Sequence, residues 1–472
     1  MRYDLVIIGS GSGNTLLTPY WDDKKVAIIE AGVFGGTCLN RGCIPTKMFV
    51  YPATLAGSGP EAERLGVRLR REDVDWAAMR DRIFGRIDPI SAAGRDYRAE
   101  QQENVDLIEE EARFTGTHQL TTASGRVIEG ERIVVAAGSR AALPQVPGLD
   151  TPGVHTSDTI MRLERLPQRV VIVGGGYIAA EFAGIFSGLG SEVIQVIRGE
   201  ELLRHADAEV SSRFTQAAQE RWELHRGWDL ASLGAGADAD VEARFTRGDE
   251  ELALGADVVL LATGRVPNSD RVDAVAAGFD VGEDQLLQVD DYQRVLSGGE
   301  PVEGVFALGD VCSPAQLKHV ANREARVVAH NLEHPARLRA TDHRAIPAAV
   351  FSRPQVATVG LREAEAREQA SDPEDVVSVV QEYGSTAYGW AMEDAEGFVK
   401  LVAERSTGRL LGAHLMGEQA SNLIQPLVQA MVLGTDAYTL ARAPYWIHPA
   451  LMEVVENALL ALGTDHLDDA PL

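Results

Sequence analysis

Apolar residues in this chain gather into short runs separated by polar and glycine-rich stretches. YDLVIIG (3–9), VAIIE (26–30), ERIVVAAGS (131–139), RVVIVGGG (169–176), EVIQVIR (192–198), DVVLLATGR (257–265) and VFALGDV (305–311) are apolar through successive positions, not at every second one. A strand covered on both faces needs that pattern, which predicts parallel sheets flanked by helices. LKHVANREARVVAHNL (317–332) carries apolar residues at helical spacing. Beyond residue 340, FSRPQVATVG, FVKLVAE and LLGAHLMG read as strands of an antiparallel sheet accompanied by helices. The predicted fold class is α/β, with two parallel-sheet units and an α+β C-terminal domain. Boundaries are expected near 1–150 completed by 270–340, at 151–269, and at 341–472, with LPQVPGLDTPG (143–153) and RVPNSD (265–270) as the crossings. DLASLGAGADADVEARF (229–245) comes nearest to low complexity and is read as including a loop.

Two of the runs end in glycine loops of the Rossmann type. In YDLVIIGSGSGN, Gly9 permits a tight turn, Gly11 lets backbone approach a pyrophosphate, and Gly13 follows; a helix is expected next, its N-terminus toward the phosphates. Glu30 lies where an acid accepts from an adenosine ribose, and Asn14 stands in place of the third glycine of G-x-G-x-x-G. In RVVIVGGGYIAAE, Gly174, Gly176 and Ala179 satisfy G-x-G-x-x-A. The next strand ends at Arg198, with Arg204 beyond it. Arginine cannot accept from a ribose 2′-hydroxyl but pairs with a 2′-phosphate, so NADPH is expected here, although Glu200 and Glu201 blunt the local field. The strand-ending glycines Gly138 and Gly264 and the acid Asp310 fall where α/β sheets place ligand contacts. Asp310 could bind ribityl hydroxyls, and the N-terminus of the 317–332 helix, around His319, could stabilise negative charge on a reduced flavin.

The chain has 472 residues, 45% of them hydrophobic, enough for about three domains. Its net charge of −26 argues against nucleic acid and anionic membrane as partners. No apolar run is long enough to span a bilayer, and MRYDLVIIGSG lacks a signal-peptide pattern, so a cytoplasmic location is expected. Only three cysteines occur, and two, Cys38 and Cys43, share the stretch GGTCLNRGCIPTK behind Gly36 and Thr37. A structural disulfide, half a metal site and a redox pair are the options. The neighbouring residues supply no further soft ligand, which disfavours zinc and gives an expectation of no bound metal. Cys312 is read as a small buried hydrophobe.

In their order along the chain, GSGSG with Glu30, GGTCLNRGCIPTK, VVIVGGGYIAAE, ATGRVPN, ALGDV and WIHPALMEVVENAL resemble the FAD-dependent pyridine nucleotide-disulfide reductases, from residue 1 to about 463. Within them GCIPTKMFVYPA, GRDYR, EEARFTG, QLKHVANRE and YWIHPALMEVVENALL are most similar to the mycothione reductases. The resemblance implies FAD and NADPH as cofactors and a small disulfide, mycothione, as substrate. It implies Cys43 as the thiol packed against the flavin and Cys38 as the one that attacks substrate. Lys47 would neighbour the flavin with Glu181 as its partner, and Tyr177 would gate the nicotinamide pocket. His448 would be the catalytic base, oriented by Glu453, both completing the site of the other subunit of a homodimer. Arg41 replaces the family's usual valine between the cysteines, and Met452 is a further departure. Alternatives within the class are dihydrolipoamide dehydrogenase, a glutathione-type reductase and a mercuric reductase-like enzyme. A flavin-dependent NAD(P)H oxidase and a non-enzymatic nucleotide-binding scaffold are alternatives outside it.

Overall fold

The computed structural model describes residues 1–463, which fall into two compact units. The first comprises Met1–Thr46, Ala77–Ala142 and Gly264–His343. At its centre the strand Arg2–Ile8 runs parallel to Val26–Ile29 on one side and Val127–Val135 on the other. The sheet continues outward to Val105–Ile108 and to Glu300–Ala307, again in parallel. Alternation within the apolar run is now visible. Val6 and Ile8 enter a core with Phe114, Leu120 and Val295, while Leu5 and Ile7 enter a second core with Trp21, Phe306 and the helix residues Val328 and Leu332. Both faces are dry, which is why the sequence shows runs instead of alternation. Cys312 is buried in the first of these cores.

One expectation fails in this unit. No α-helix follows the first glycine loop; Gly13–Leu16 makes a single 3₁₀ turn, and Pro19–Trp21 makes another. Pro19 has no N–H with which to continue a helix begun at Gly13, and the Thr18 side chain instead accepts from Tyr20 N and starts a new turn. The third glycine's packing role passes to Gly13, where a Cβ would come 2.8 Å from Ile7 Cγ2. Asn14, at the position of the missing glycine, accepts from the buried Arg98 at 2.7 Å.

The second unit comprises Lys47–Trp76, Leu143–Thr263 and the residues from Arg344 onward. Its parallel sheet runs in the order Glu223–Arg226, Glu192–Ile197, Arg169–Val173, Val258–Leu261, Val154–His155. The segment 229–245 is more ordered than its composition suggests. It supplies two strands of a three-stranded antiparallel sheet, Asp229–Gly234 and Val241–Arg247 joined by a short loop, and Leu233, Val241 and Phe245 are buried against Val171 and Val173. A five-stranded sheet in the order Ala348–Val350, Gln355–Gly360, Leu410–Gly417, Phe398–Glu404, Val376–Glu382 is antiparallel throughout. Its core takes in Val454, Val455 and Leu459 from the helix Glu453–Ala461. Among the described residues no helix is long and apolar enough to cross a membrane.

Candidate active site

Cys38 lies in the short helix Gly36–Asn40, and Cys43 opens the longer helix Cys43–Ala56. The turn between them is built tightly. Arg41 N donates to Thr37 O at 2.9 Å, the buried Asn40 ties back to Phe34 O and Gly36 O, and a Cβ on Gly42 would press to 3.0 Å from Thr37 O. Pro45 falls in the first helical turn, where its missing N–H costs nothing. The two thiols thereby come within hydrogen-bonding reach, and Cys38 is pushed far above the ordinary thiol range by that hydrogen bond, by burial and by the charge of Cys43. A thiolate at Cys43 would sit at a helix N-terminus, which favours it. The cation that works against the shift on Cys38 is Lys318. Its Nζ donates to Ser12 Oγ at 2.8 Å from the first position of the helix Lys318–Glu333. Sequence reasoning left Lys318 unassigned; its place beside His319 at the start of a predicted helix was the available signal.

The first glycine loop fits FAD. Gly9 has φ 103°, and a Cβ there would lie 2.3 Å from Ala136 O, so only glycine fits. Gly11 faces Gly36 backbone to backbone, and a Cβ on Gly36 would come 2.7 Å from Gly11 Cα, leaving a cradle lined by main chain beside Thr37. Glu30 Oε2 accepts from Ser10 N at 2.9 Å and Ser10 Oγ at 2.6 Å, and Ser10 Oγ accepts in turn from Gly35 N at 2.8 Å. Ser10, missed from sequence, therefore joins the acid, the loop and the glycine pair ahead of Cys38. Asp310 sits in the turn Gly309–Val311, and one of its oxygens accepts from Ser139 Oγ at 2.6 Å. The turn is anchored by the buried Glu324, which accepts from Gly309 N at 2.7 Å and pairs with His343 at 3.0 Å. Gly138 and Gly264, both at positive φ, precede the paired strands Ser139–Ala141 and Arg265–Pro267, which places Gly264 in this same unit. His319 is exposed at the second position of its helix.

In the second unit Gly174 has φ 136°, and a Cβ there would lie 2.2 Å from Ala262 O. Gly176 caps the helix Tyr177–Leu189, with open space where a Cβ would stand. Such a helix N-terminus suits a pyrophosphate. Ala179 is buried, and Tyr177, Arg198 and Arg204 are exposed. Lys47 Nζ is held between both oxygens of Glu181, at 2.6 and 2.7 Å, and over the Phe351 ring at 4.6 Å. Glu181 is buried and also accepts from Phe351 N at 2.9 Å, so its charge is matched on two sides. His448 Nδ1 meets Glu453 Oε1 at 2.5 Å, and Glu453 Oε2 accepts from Ala450 N at 3.3 Å across a cis His448–Pro449 bond. The His448 side chain is 71% exposed and that of Glu453 only 16%, so the acid fixes the ring from below while Nε2 faces outward.

These loops and pairs recur together in one family. Residues 3–325 match the pyridine nucleotide-disulphide oxidoreductases and residues 346–459 match the dimerisation domain of the same proteins. The chain belongs to that family. It is a flavoprotein disulfide reductase that works with FAD and NADPH. It is 51% identical to the mycothione reductase of Mycobacterium tuberculosis (strain H37Rv) over 98% of this chain and 99% of that one. It is 33% identical to the dihydrolipoyl dehydrogenase of Haloferax volcanii over 97% and 96% of the two chains, and 33% identical to the glutathione reductase of Burkholderia cepacia over 96% and 97%. Among solved structures, the Cu(II) complex of the HOCl-induced flavoprotein disulfide reductase RclA from Escherichia coli superposes with a TM-score of 0.83 at 26% identity, covering 98% of this chain and all of that one.

Proposed function

We propose that this reductase acts on mycothione, returning two molecules of mycothiol for each NADPH oxidised. The observation that carries the substrate is the gap in identity: 51% over nearly the whole chain to a mycothione reductase, against 33% to reductases of other disulfides. FAD, when bound, relays two electrons from NADPH to the Cys38–Cys43 disulfide. On this reading the domains follow the boundaries 1–150 with 270–340 for FAD, 151–269 for NADPH, and 341–472 for the interface of a homodimer in the cytoplasm. Glu30 would take the adenosine ribose and Asp310 the ribityl chain, and the Lys47–Glu181 pair would stand beside the flavin ring.

The chemistry of the side chains then runs in a closed cycle. Cys38 gives its proton to His448 of the partner subunit and attacks one sulfur of the substrate, breaking the S–S bond and forming a mixed disulfide. The departing thiolate takes that proton back from the imidazole, which Glu453 of the partner subunit keeps in the required tautomer. The Cys43 thiolate then attacks the Cys38 sulfur, breaking the mixed disulfide, restoring the Cys38–Cys43 disulfide and expelling the second product as a thiolate, which takes up a proton from solvent. A Cys38 thiol whose pKa is raised by its hydrogen bond to Cys43 and by burial is helped by such a base, and the outward-lying His448 held by Glu453 supports the assignment.

The direct test is NADPH oxidation by the purified enzyme with mycothione, glutathione disulfide, lipoamide and mercuric ion. The expected outcome is a kcat/KM for mycothione at least about a hundredfold above the others, a margin of roughly 3 kcal/mol. Comparable rates with lipoamide or glutathione disulfide would overturn the substrate, and air oxidation of NADPH indifferent to Cys38 would point to an oxidase. Arg198 and Arg204 are assigned to the 2′-phosphate. The Arg198→Met enzyme should show a KM for NADPH raised about tenfold and a KM for NADH nearly unchanged, the loss expected of one charge-assisted contact. Equal effects on both nucleotides would remove Arg198 from that role.

A further inference from the structure

Arg41 is the residue between the two cysteines that departs from the family pattern, and its position in the sequence suggests a role toward the thiols or the substrate. The side chain goes elsewhere. Arg41 N closes the last turn on Thr37 O, after which the backbone swings out of the helix at φ −152° and ψ 17°. The half-buried guanidinium reaches back to the loop that follows Glu30. A Cβ built on Gly32 would lie 3.4 Å from Arg41 Nη2 and the same distance from Glu30 Oε1, so the cation and the acid are neighbours across that glycine. Glu30 is already engaged by Ser10 N, Ser10 Oγ and Gly32 N. A carboxylate has room for about four such bonds, so Glu30 can take about one ribose hydroxyl more.

We propose that Arg41 is a cofactor-holding residue at the adenosine end of the FAD site. Its guanidinium donates to the adenosine diphosphate half of FAD while offsetting the charge of Glu30. Several observations favour this over a substrate role. The guanidinium lies at the Glu30–Gly32 turn, Gly32 leaves space there that a side chain would fill, and the ligand expected at Glu30 carries the anionic diphosphate that arginine binds best. A valine at position 41 could do none of this. The redox loop thus contributes to FAD retention through a residue between its own cysteines.

The test compares the full-length wild-type, Arg41→Lys, Arg41→Met and Arg41→Val proteins, reading FAD affinity by titrating each apoprotein with FAD and following flavin fluorescence. Arg41→Met and Arg41→Val are expected to bind FAD about five- to fiftyfold more weakly, with Arg41→Lys between them and wild type. Added salt should weaken FAD binding more steeply in wild type than in Arg41→Met, a difference that a purely structural role would not produce. In the FAD-saturated variants the KM for the disulfide should stay within about twofold of wild type, as expected of a residue remote from substrate. Unchanged FAD affinity in Arg41→Met, or a raised disulfide KM with FAD affinity intact, would overturn the proposal. Because FAD affinity does not depend on which disulfide is reduced, failure of the mycothione assignment would leave this result standing.

Discussion

Cys43→Ser enzyme should lose disulfide reduction by more than about a thousandfold, as expected when one member of a group acting as a unit is removed. It should also lose the long-wavelength absorption band that anaerobic reduction gives the wild type. The Cys38→Ser enzyme should be equally inactive yet keep the band. The asymmetry follows from placement. Cys43 is the first residue of a 14-residue helix, where a thiolate is stabilised, whereas the pKa of Cys38 is raised by the hydrogen bond to Cys43 and by burial. A band that survives in Cys43→Ser would reverse the two assignments. The same electrostatics gives a titration. In the reduced wild-type enzyme Cys38 should give up its proton only above the ordinary thiol range, because the hydrogen bond to Cys43, burial and the charge of Cys43 all raise its pKa. In Cys43→Ala the largest cause of that shift is gone, so Cys38 should lose its proton at lower pH, as followed by thiolate ultraviolet absorbance. An unchanged Cys38 titration in that variant would show that burial alone sets it.

The second large effect is expected at His448. The His448→Ala enzyme should lose roughly a hundred- to ten-thousandfold in kcat with mycothione, the usual worth of a positioned acid–base group. Reduction of the enzyme by NADPH, followed at the flavin in a stopped-flow instrument, should proceed at the wild-type rate, because the imidazole is assigned only to the thiol half-reaction. Glu453→Gln should fall between them, losing roughly tenfold or more, since the amide can still hold Nδ1 but cannot stabilise the imidazolium. Slow reduction by NADPH in His448→Ala would remove His448 from the thiol half-reaction and make its role structural.

Sequence legibility followed the range of the interactions. Gly9 and Gly174 could be assigned from the chain alone because their requirement is local: a positive φ and a neighbouring strand within the reach of a Cβ. The spacing of Cys38 and Cys43 left several options open in the chain alone; the resemblance to a family singled out the redox pair, and the structure brings the two thiols within hydrogen-bonding reach. The resemblance to a family supplied both the short-range His448–Glu453 pair and the more distant Lys47–Glu181 pair. The helix expected behind the first glycine loop was misread because a general motif outweighed one local residue, Pro19, that forbids it.

What the sequence by itself determined, then, is the order of elements, the two nucleotide loops and the spacing of the redox pair, all of which rest on backbone sterics and apolar periodicity. Only the tertiary structure decided which side chains converge on them. Lys318 reaches Ser12 from 306 positions away, Glu324 holds the amide of Gly309 from the interior of a helix, and Ser10 Oγ links Glu30 to Gly35 across two loops. It also turned Arg41 from a residue between two cysteines into one beside Glu30, because the direction of a side chain depends on where the backbone leaves its helix and on what a glycine elsewhere leaves vacant.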